Sequence, residues 1–130
     1  DPGAHIIKSA IENNIPVYSI PGPTALIAAL SISGKPTHKF VFEGFLSNKA
    51  SQRKRRLTEL LGEERTIVIY ESPHRILKML EDLSCVFGDR EIVLARELTK
   101  KFEEVRRGRP AVLLDHFRAT KPRGEFIIIL

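Results

Sequence analysis

Two kinds of apolar pattern alternate along these 130 residues. Short runs of branched or aromatic residues at 17–20, 40–45, 66–70, 92–95 and 125–130 read as β-strands. The run Thr66–Tyr70 is continuous and β-branched, which predicts a strand buried on both faces. Between the runs, apolar residues recur at helical spacing. Ala4, Ile7, Ala10 and Ile11 share one face of a helix over 4–14 that ends at Asn13-Asn14. A small-residue helix runs from Thr24 to Ser33 and stops at Gly34. Ser47-Asn48 caps a helix to Leu61, with Leu57, Leu60 and Leu61 as its apolar side and Gly62 at its end. Ile76, Leu77, Leu80 and Leu83 mark another helix, with Ser72 as N-cap, Pro73 at the first helical position and Gly88 as the stop. Residues 102–107 read as extended, and Pro110 opens a last helix through Phe117.

The order from residue 36 onward, β-α-β-α-β-(β)-α-β, predicts an α/β unit with a mixed sheet. Residues 1–35 hold only half of a βαβ pattern, too little for a core of their own. Lys35-Pro36-Thr37 is polar and turn-prone, so the expected division is 1–35 as the C-terminal part of a first α/β domain and 36–130 as a second α/β domain. The opening Asp1-Pro2-Gly3, without an initiator Met, reads as a loop that follows another element. The expectation is a piece of a longer protein.

Composition narrows the class. Apolar residues make up 42% and charged residues 28%, ordinary values for a soluble globular chain. Cys85 is the single cysteine, which excludes an intrachain disulfide and points to a reducing, cytoplasmic setting. Its place in a helical pattern predicts a buried structural thiol. His5, His38, His74 and His116 are scattered, so no metal site is expected. No apolar run approaches the ~18 residues of a membrane span. The net charge of +5 favours acidic partners, nucleic acid first. Lys49, Arg53, Lys54, Arg55 and Arg56 lie on one expected helix. Such a run is either a solvated face or a set of phosphate contacts, which need positive charge but no fixed spacing.

Candidate chemistry collects at strand ends. Pro21-Gly22-Pro23 breaks the first strand, and Thr24 opens a helix. Such a turn offers backbone N–H groups and a hydroxyl at the carboxyl end of a sheet, where open α/β sheets bind ligands. Glu71, His74 and Arg75 crowd a second strand end, and Arg96 to Glu104 follow a third. Three polar strand ends converging on one sheet edge form a site-like arrangement. No Ser-His-Asp pattern, P-loop or Gly-x-Gly-x-x-Gly is present.

Five blocks together resemble the tetrapyrrole methylase superfamily, in its branch that methylates small-subunit ribosomal RNA. They are Ile-Pro-Gly-Pro-Thr-Ala at 20–25, Phe-Glu-Gly-Phe-Leu at 42–46, Tyr-Glu-Ser-Pro-His-Arg at 70–75, Ala-Arg-Glu-Leu-Thr-Lys at 95–100 and Arg-Gly-Glu-Phe at 123–126. The resemblance implies a class III methyltransferase of two α/β domains with S-adenosylmethionine in the cleft between them. It implies 2′-O-methylation of a cytidine ribose in the decoding region, with small-subunit rRNA or the 30S subunit as partner, a possible homodimer and no membrane. It assigns Pro23, Thr24, Ala25, Glu71 and Leu98 to the cofactor. Glu71, Glu97, Lys100 and His74 are the ionisable candidates for catalysis, with no choice among them. Arg53, Lys54, Arg55 and Arg56 would grip the rRNA backbone. The family's early strands and their cofactor loops, roughly 100 residues or one domain's worth, have no counterpart here, so the chain alone is expected to be inactive. Two alternatives stand beside this reading: a methylase of tetrapyrroles or of a protein side chain, and a non-catalytic module for RNA binding or dimerisation.

Overall fold

The computed structural model describes residues 3–130; the loop expected at Asp1-Pro2 lies outside the described residues. The branched runs form β1 (Phe40–Phe45), β2 (Thr66–Glu71), β3 (Ile92–Arg96), β4 (Glu104–Gly108) and β5 (Phe126–Ile129). They make one mixed sheet in the order β1-β2-β5-β3-β4. β1 and β2 are parallel, and β5 runs antiparallel to both β2 and β3. β5 is last in sequence yet central in space. Phe126 pairs with Glu71 on one side and with Arg96 on the other. β1, β2 and β3 therefore point the same way and end on one edge.

The helices are α1 (Ala4–Glu12), α2 (Ala25–Ser33), α3 (Ala50–Glu59, continued by a 3-10 turn Leu60–Gly62), α4 (Ile76–Phe87) and α5 (Pro110–Ala119). Alternation along each strand sends neighbours to opposite faces. Ile67, Ile69, Leu94, Phe126 and Ile128 pack with Leu57, Met79, Leu80, Leu83, Leu113 and Phe117 of α3, α4 and α5. Val68, Val93, Ala95, Ile127 and Ile129 face the other way, onto Ala29 and Leu30 of α2. Both faces are thus covered, which is why these strands read as unbroken apolar runs. Arg107 of β4 fastens the end of α2, its Nη2 donating to the Ile32 carbonyl at 2.5 Å. Lys35 Nζ donates to the Glu91 carbonyl at 2.8 Å.

Five expectations need correction. Ser47-Asn48 does not cap α3: Lys49 holds the cap position with no side-chain capping bond, because the Ser47 hydroxyl is taken by Gln52 Oε1 and the Lys49 N–H. No strand forms at Val17–Ile20, because no described strand lies alongside to complete its hydrogen bonds, and Tyr18 and Ile20 stand exposed. Ser72 is not the N-cap of α4: its carbonyl accepts from Arg75 and Ile76 in a turn, and Arg75 occupies the cap position. Cys85 is exposed, since the buried stripe of α4 runs through Ile76, Met79, Leu80, Leu83 and Phe87. Arg53 does not face solvent for a phosphate contact. It is 4% exposed, and its Nε and Nη2 lie 2.7 and 2.6 Å from Oδ2 of the buried Asp82.

That pair ties α3 to α4, and removing Arg53 leaves the buried Asp82 with only the half-exposed Lys54, 3.5 Å away, as a counter-charge. Arg53→Ala is expected to cost about 3–5 kcal/mol, read as a lower urea midpoint. The double variant Arg53→Met/Asp82→Leu is expected to recover most of the loss. Equal stability of Arg53→Ala and the parent would contradict this role.

Candidate functional site

The shared edge of β1, β2 and β3 opens into a cavity of about 420 Å³. β5 supplies Phe126 and Ile127, and the ends of β1 and β2 supply Phe45, Tyr70 and Glu71. The loop after β3 adds Glu97, Leu98, Thr99 and Lys100, and the turn into α2 adds Pro23, Thr24, Ala25 and Ala28. Thr24 sits at the N-cap of α2 in extended conformation, and its side chain makes no capping bond. Its hydroxyl is therefore not spent on the helix, whose first N–H groups lack intrahelical partners.

Glu71 is the most constrained of these groups. Its side chain has no exposed surface. Oε1 accepts from the Ser72 N–H at 2.8 Å and lies 3.2 Å from Arg75 Nε. Oε2 is buried and has no hydrogen-bond partner. Burial pushes the carboxyl above its ordinary range, against the opposing pull of the Ser72 N–H and of the Arg75 and Arg53 charges. Arg75 is held in place from behind, donating to the Leu46 carbonyl at 2.6 Å.

The loop after β3 is held in an unusual backbone state. Glu97 and Thr99 have φ of +49° and +65°, the left-handed region that side chains other than glycine rarely adopt. Cross-links compensate. Glu97 N–H donates to the Glu125 carbonyl at 3.2 Å, and Glu125 N–H donates to Glu97 Oε1 at 3.1 Å. Lys100 Nζ lies 3.0 Å from Glu97 Oε1 and 3.5 Å from Glu125 Oε2. The Lys100 hydrogen bond draws the Glu97 carboxyl down, and Glu97 in turn raises the Lys100 amine. Gly124 makes room for this arrangement: a Cβ there would stand 2.3 Å from Glu97 Cγ.

Pro23, Thr24, Ala25, Glu71 and Leu98 all meet at this cavity, as do Glu97 and Lys100. His74 is exposed and is not among the lining residues. Phe45, Tyr70, Thr99, Glu125, Phe126 and Ile127 also line it without having been singled out as site residues. Phe45, Tyr70, Glu125 and Phe126 lie in the sequence blocks noted above, whereas Ile127 reads only as core. The basic run divides. Arg53 is internal, while Lys54, Arg55 and Arg56 are exposed on α3. Lys54 lies 3.5 Å from Asp82, Arg55 pairs with Glu59 at 3.1 Å, and Arg56 binds Glu43 through two nitrogens at 2.7 and 2.8 Å. Among the described residues no helix is long and apolar enough to cross a membrane, and no group of three or more His, Cys, Asp or Glu is placed to hold a metal ion.

Comparison with known proteins gives consistent matches. The family model of Tetrapyrrole (Corrin/Porphyrin) Methylases matches residues 1–113. The chain is 47% identical to the "Ribosomal RNA small subunit methyltransferase I" of Synechocystis sp., covering 100% of this chain and 47% of that protein. It is 42% identical to the protein of the same name from Thermotoga maritima, covering 100% of this chain and 58% of that one. The chain thus spans about half the length of the curated relatives it matches. Among solved structures, a cobalt precorrin-4 methyltransferase superposes with a TM-score of 0.66 at 17% identity, over 98% of this chain and 58% of that one. A uroporphyrin-III C-methyltransferase from Thermus thermophilus, complexed with S-adenosylhomocysteine, gives 0.60 at 16% identity, over 98% and 58%. At these identities the likeness is one of fold.

The buried Glu71 carboxyl leads to a stability prediction. Its folded pKa lies above the ordinary value of 4.5, so the folded state binds its proton more tightly than the unfolded state does. Stability from this group is present below that pH and is lost as pH rises through the folded value. Glu71→Gln is therefore expected to raise the melting temperature of the ligand-free protein at pH 8 and to leave it unchanged at pH 4. A variant that melts below the parent at pH 8 would contradict the burial account.

Proposed function

The chain belongs to the tetrapyrrole methylase family, and from that premise we propose that it is part of an S-adenosylmethionine-dependent methyltransferase of small-subunit ribosomal RNA, acting on the 2′-oxygen of a cytidine ribose. One observation carries the reading: the Pro23–Ala25 turn, the buried Glu71 and Leu98 share one cavity although they lie far apart in sequence. The names of the relatives from Synechocystis and Thermotoga support the RNA substrate. The bound S-adenosylhomocysteine of the Thermus thermophilus methyltransferase supports the cofactor.

The lining suits such a ligand. Glu71 Oε2 is a buried acceptor that lacks a donor, and an unsatisfied group of this kind is stabilised by a ligand N–H or O–H. Glu97 and Glu125 stand against the single amine Lys100, while Glu71 is faced by Arg75, which leaves a slight excess of negative charge for a cationic ligand. Tyr70, Leu98 and Ile127 add apolar surface, and Thr24 and Thr99 add hydroxyls. When bound, S-adenosylmethionine supplies a methyl group on a cationic sulfur.

This chain's contribution is binding and alignment. Thr24, Ala25 and Leu98 hold the cofactor, with Pro23 shaping the approach. Lys100 stays protonated and Glu97 ionised near neutrality, each held so by the other, and together they keep the loop after β3 in place. Glu71 accepts a hydrogen bond inside the cavity. Lys54, Arg55 and Arg56 offer positive charge to the RNA backbone. Residues 1–35 form the end of a first α/β domain, and 36–130 form the second. The exposed Ile7 and Ile11 of α1, with Val17 and Ile20 beyond it, are surfaces that the remainder of the first domain would cover. The whole protein acts in the cytoplasm, as a homodimer.

Full-length protein incubated with S-adenosylmethionine and 30S subunits is expected to place a single methyl on a cytidine ribose, located by mass spectrometry of nuclease digests. In the same assay the 130-residue chain alone is expected to transfer none. Methylation of a porphyrinoid substrate with none of rRNA would overturn the reading.

A further inference from the structure

We propose that Glu97 is a positioning residue and not the base of the reaction, and that it seats Leu98 against the cofactor from a notch that only glycine at position 124 leaves open. The inference rests on the cofactor reading above. Leu98 stands between two residues with left-handed backbone, Glu97 and Thr99. Two such residues so close together persist only where neighbouring structure holds them. Leu98 is half-buried and packs against the cluster that α2 forms with the sheet. The conformation on either side of it therefore decides where it meets the cavity.

A carboxylate holds each flank. On one side, Glu97 Oε1 accepts the Glu125 N–H at 3.1 Å and a bond from Lys100 Nζ at 3.0 Å. The Glu97 carbonyl also accepts the Lys100 N–H at 3.0 Å, which closes the turn. On the other side, Glu103 Oε2 accepts the Thr99 N–H at 2.6 Å. Gly124 borders the first of these seats. A Cβ there would lie well inside contact distance of Glu97 Cγ, Cδ and Oε1. All three atoms belong to a flexible side chain. An added methyl would thus spare the core and turn the Glu97 carboxylate out of its seat, away from both donors.

The same bonds argue against proton abstraction by Glu97. One oxygen already serves two donors, and Lys100 holds the carboxyl below its ordinary range. A general base works best with a pKa near the operating pH. Lys100 is drawn the other way by Glu97 and stays protonated. The pair fixes the loop and takes no proton.

The test uses full-length protein: S-adenosylhomocysteine binding by calorimetry, and steady-state methylation of 30S subunits. Gly124→Ala is expected to weaken binding about tenfold and to raise KM for S-adenosylmethionine while kcat changes little. Glu97→Ala should do the same. Glu97→Ala/Gly124→Ala should bind no worse than Glu97→Ala, because the new methyl then has no carboxylate to displace. Glu97→Gln keeps an oxygen for the Glu125 N–H and should regain most of the lost affinity. Additive losses in the double variant overturn the proposal, as does parental affinity in Glu97→Ala. So does a fall in kcat of about a hundredfold or more in Glu97→Gln at unchanged KM, which would make Glu97 the base. Should Gly124→Ala fail to fold, the two Glu97 variants decide the matter. If the unaltered protein binds no S-adenosylhomocysteine, it is the cofactor reading itself that fails.

Discussion

The placement of β5 governs this structure. A short strand of four branched or aromatic residues, last in the chain, inserts antiparallel between β2 and β3 and bonds to both. It holds the ends of those two strands two strand spacings apart, about 10 Å. The gap at the sheet edge is the cavity, and Phe126 and Ile127 line it. The register that sets Phe126 opposite both Glu71 and Arg96 is what brings Glu71 to one side of the gap and the Glu97–Lys100 loop to the other. The residue before the strand, Glu125, exchanges two hydrogen bonds with Glu97. One strand therefore positions both halves of the site, and loss of its pairing would dissolve the cavity along with the sheet.

Local stability is given up at the same place. A carboxylate oxygen is buried without a partner, two residues hold left-handed backbone, and a glycine is required where any side chain would strike Glu97. Each is unfavourable in isolation, and the surrounding sheet and core are large enough to offset it. Elsewhere most buried charges sit in close ion pairs, and Arg96 Nε and Glu104 Oε2 also lack a hydrogen-bond partner. Arg53 and Asp82 are buried as a close pair, and Arg107 satisfies carbonyls at the end of α2.

Most of the fold was legible because periodicity reports burial. The continuous run Thr66–Tyr70 predicted a strand covered on both faces, and β2 is one; the run at 125–130 predicted a strand, found as Phe126–Ile129. Strand order was not legible, since nothing local says that the last strand enters the middle. The failures share a cause. Val17–Ile20 has strand composition, but a strand exists only with a neighbour. Ser72 has the chemistry of an N-cap, but the turn through Arg75 takes the hydrogen bonds first. Cys85 fits a helical pattern until Met79 is placed in the core and rotates the face away. Arg53 reads as one basic residue among several, and only the third dimension reveals Asp82 beneath it. At the site, Thr24 was visible at a turn into a helix and Glu71 at a strand end, while Leu98 came only from the family resemblance. The seat that Gly124 gives Glu97 was not visible, because nothing local names the distant side chain a glycine must clear.

The central claim is that the edge cavity is one domain's share of a cofactor pocket. Its most direct test is a crystal structure of the full-length protein with S-adenosylhomocysteine. The account predicts ligand density against Thr24, Ala25 and Leu98, with a ligand donor within hydrogen-bonding distance of Glu71 Oε2. Ligand density elsewhere, with only solvent beside Glu71, would contradict it.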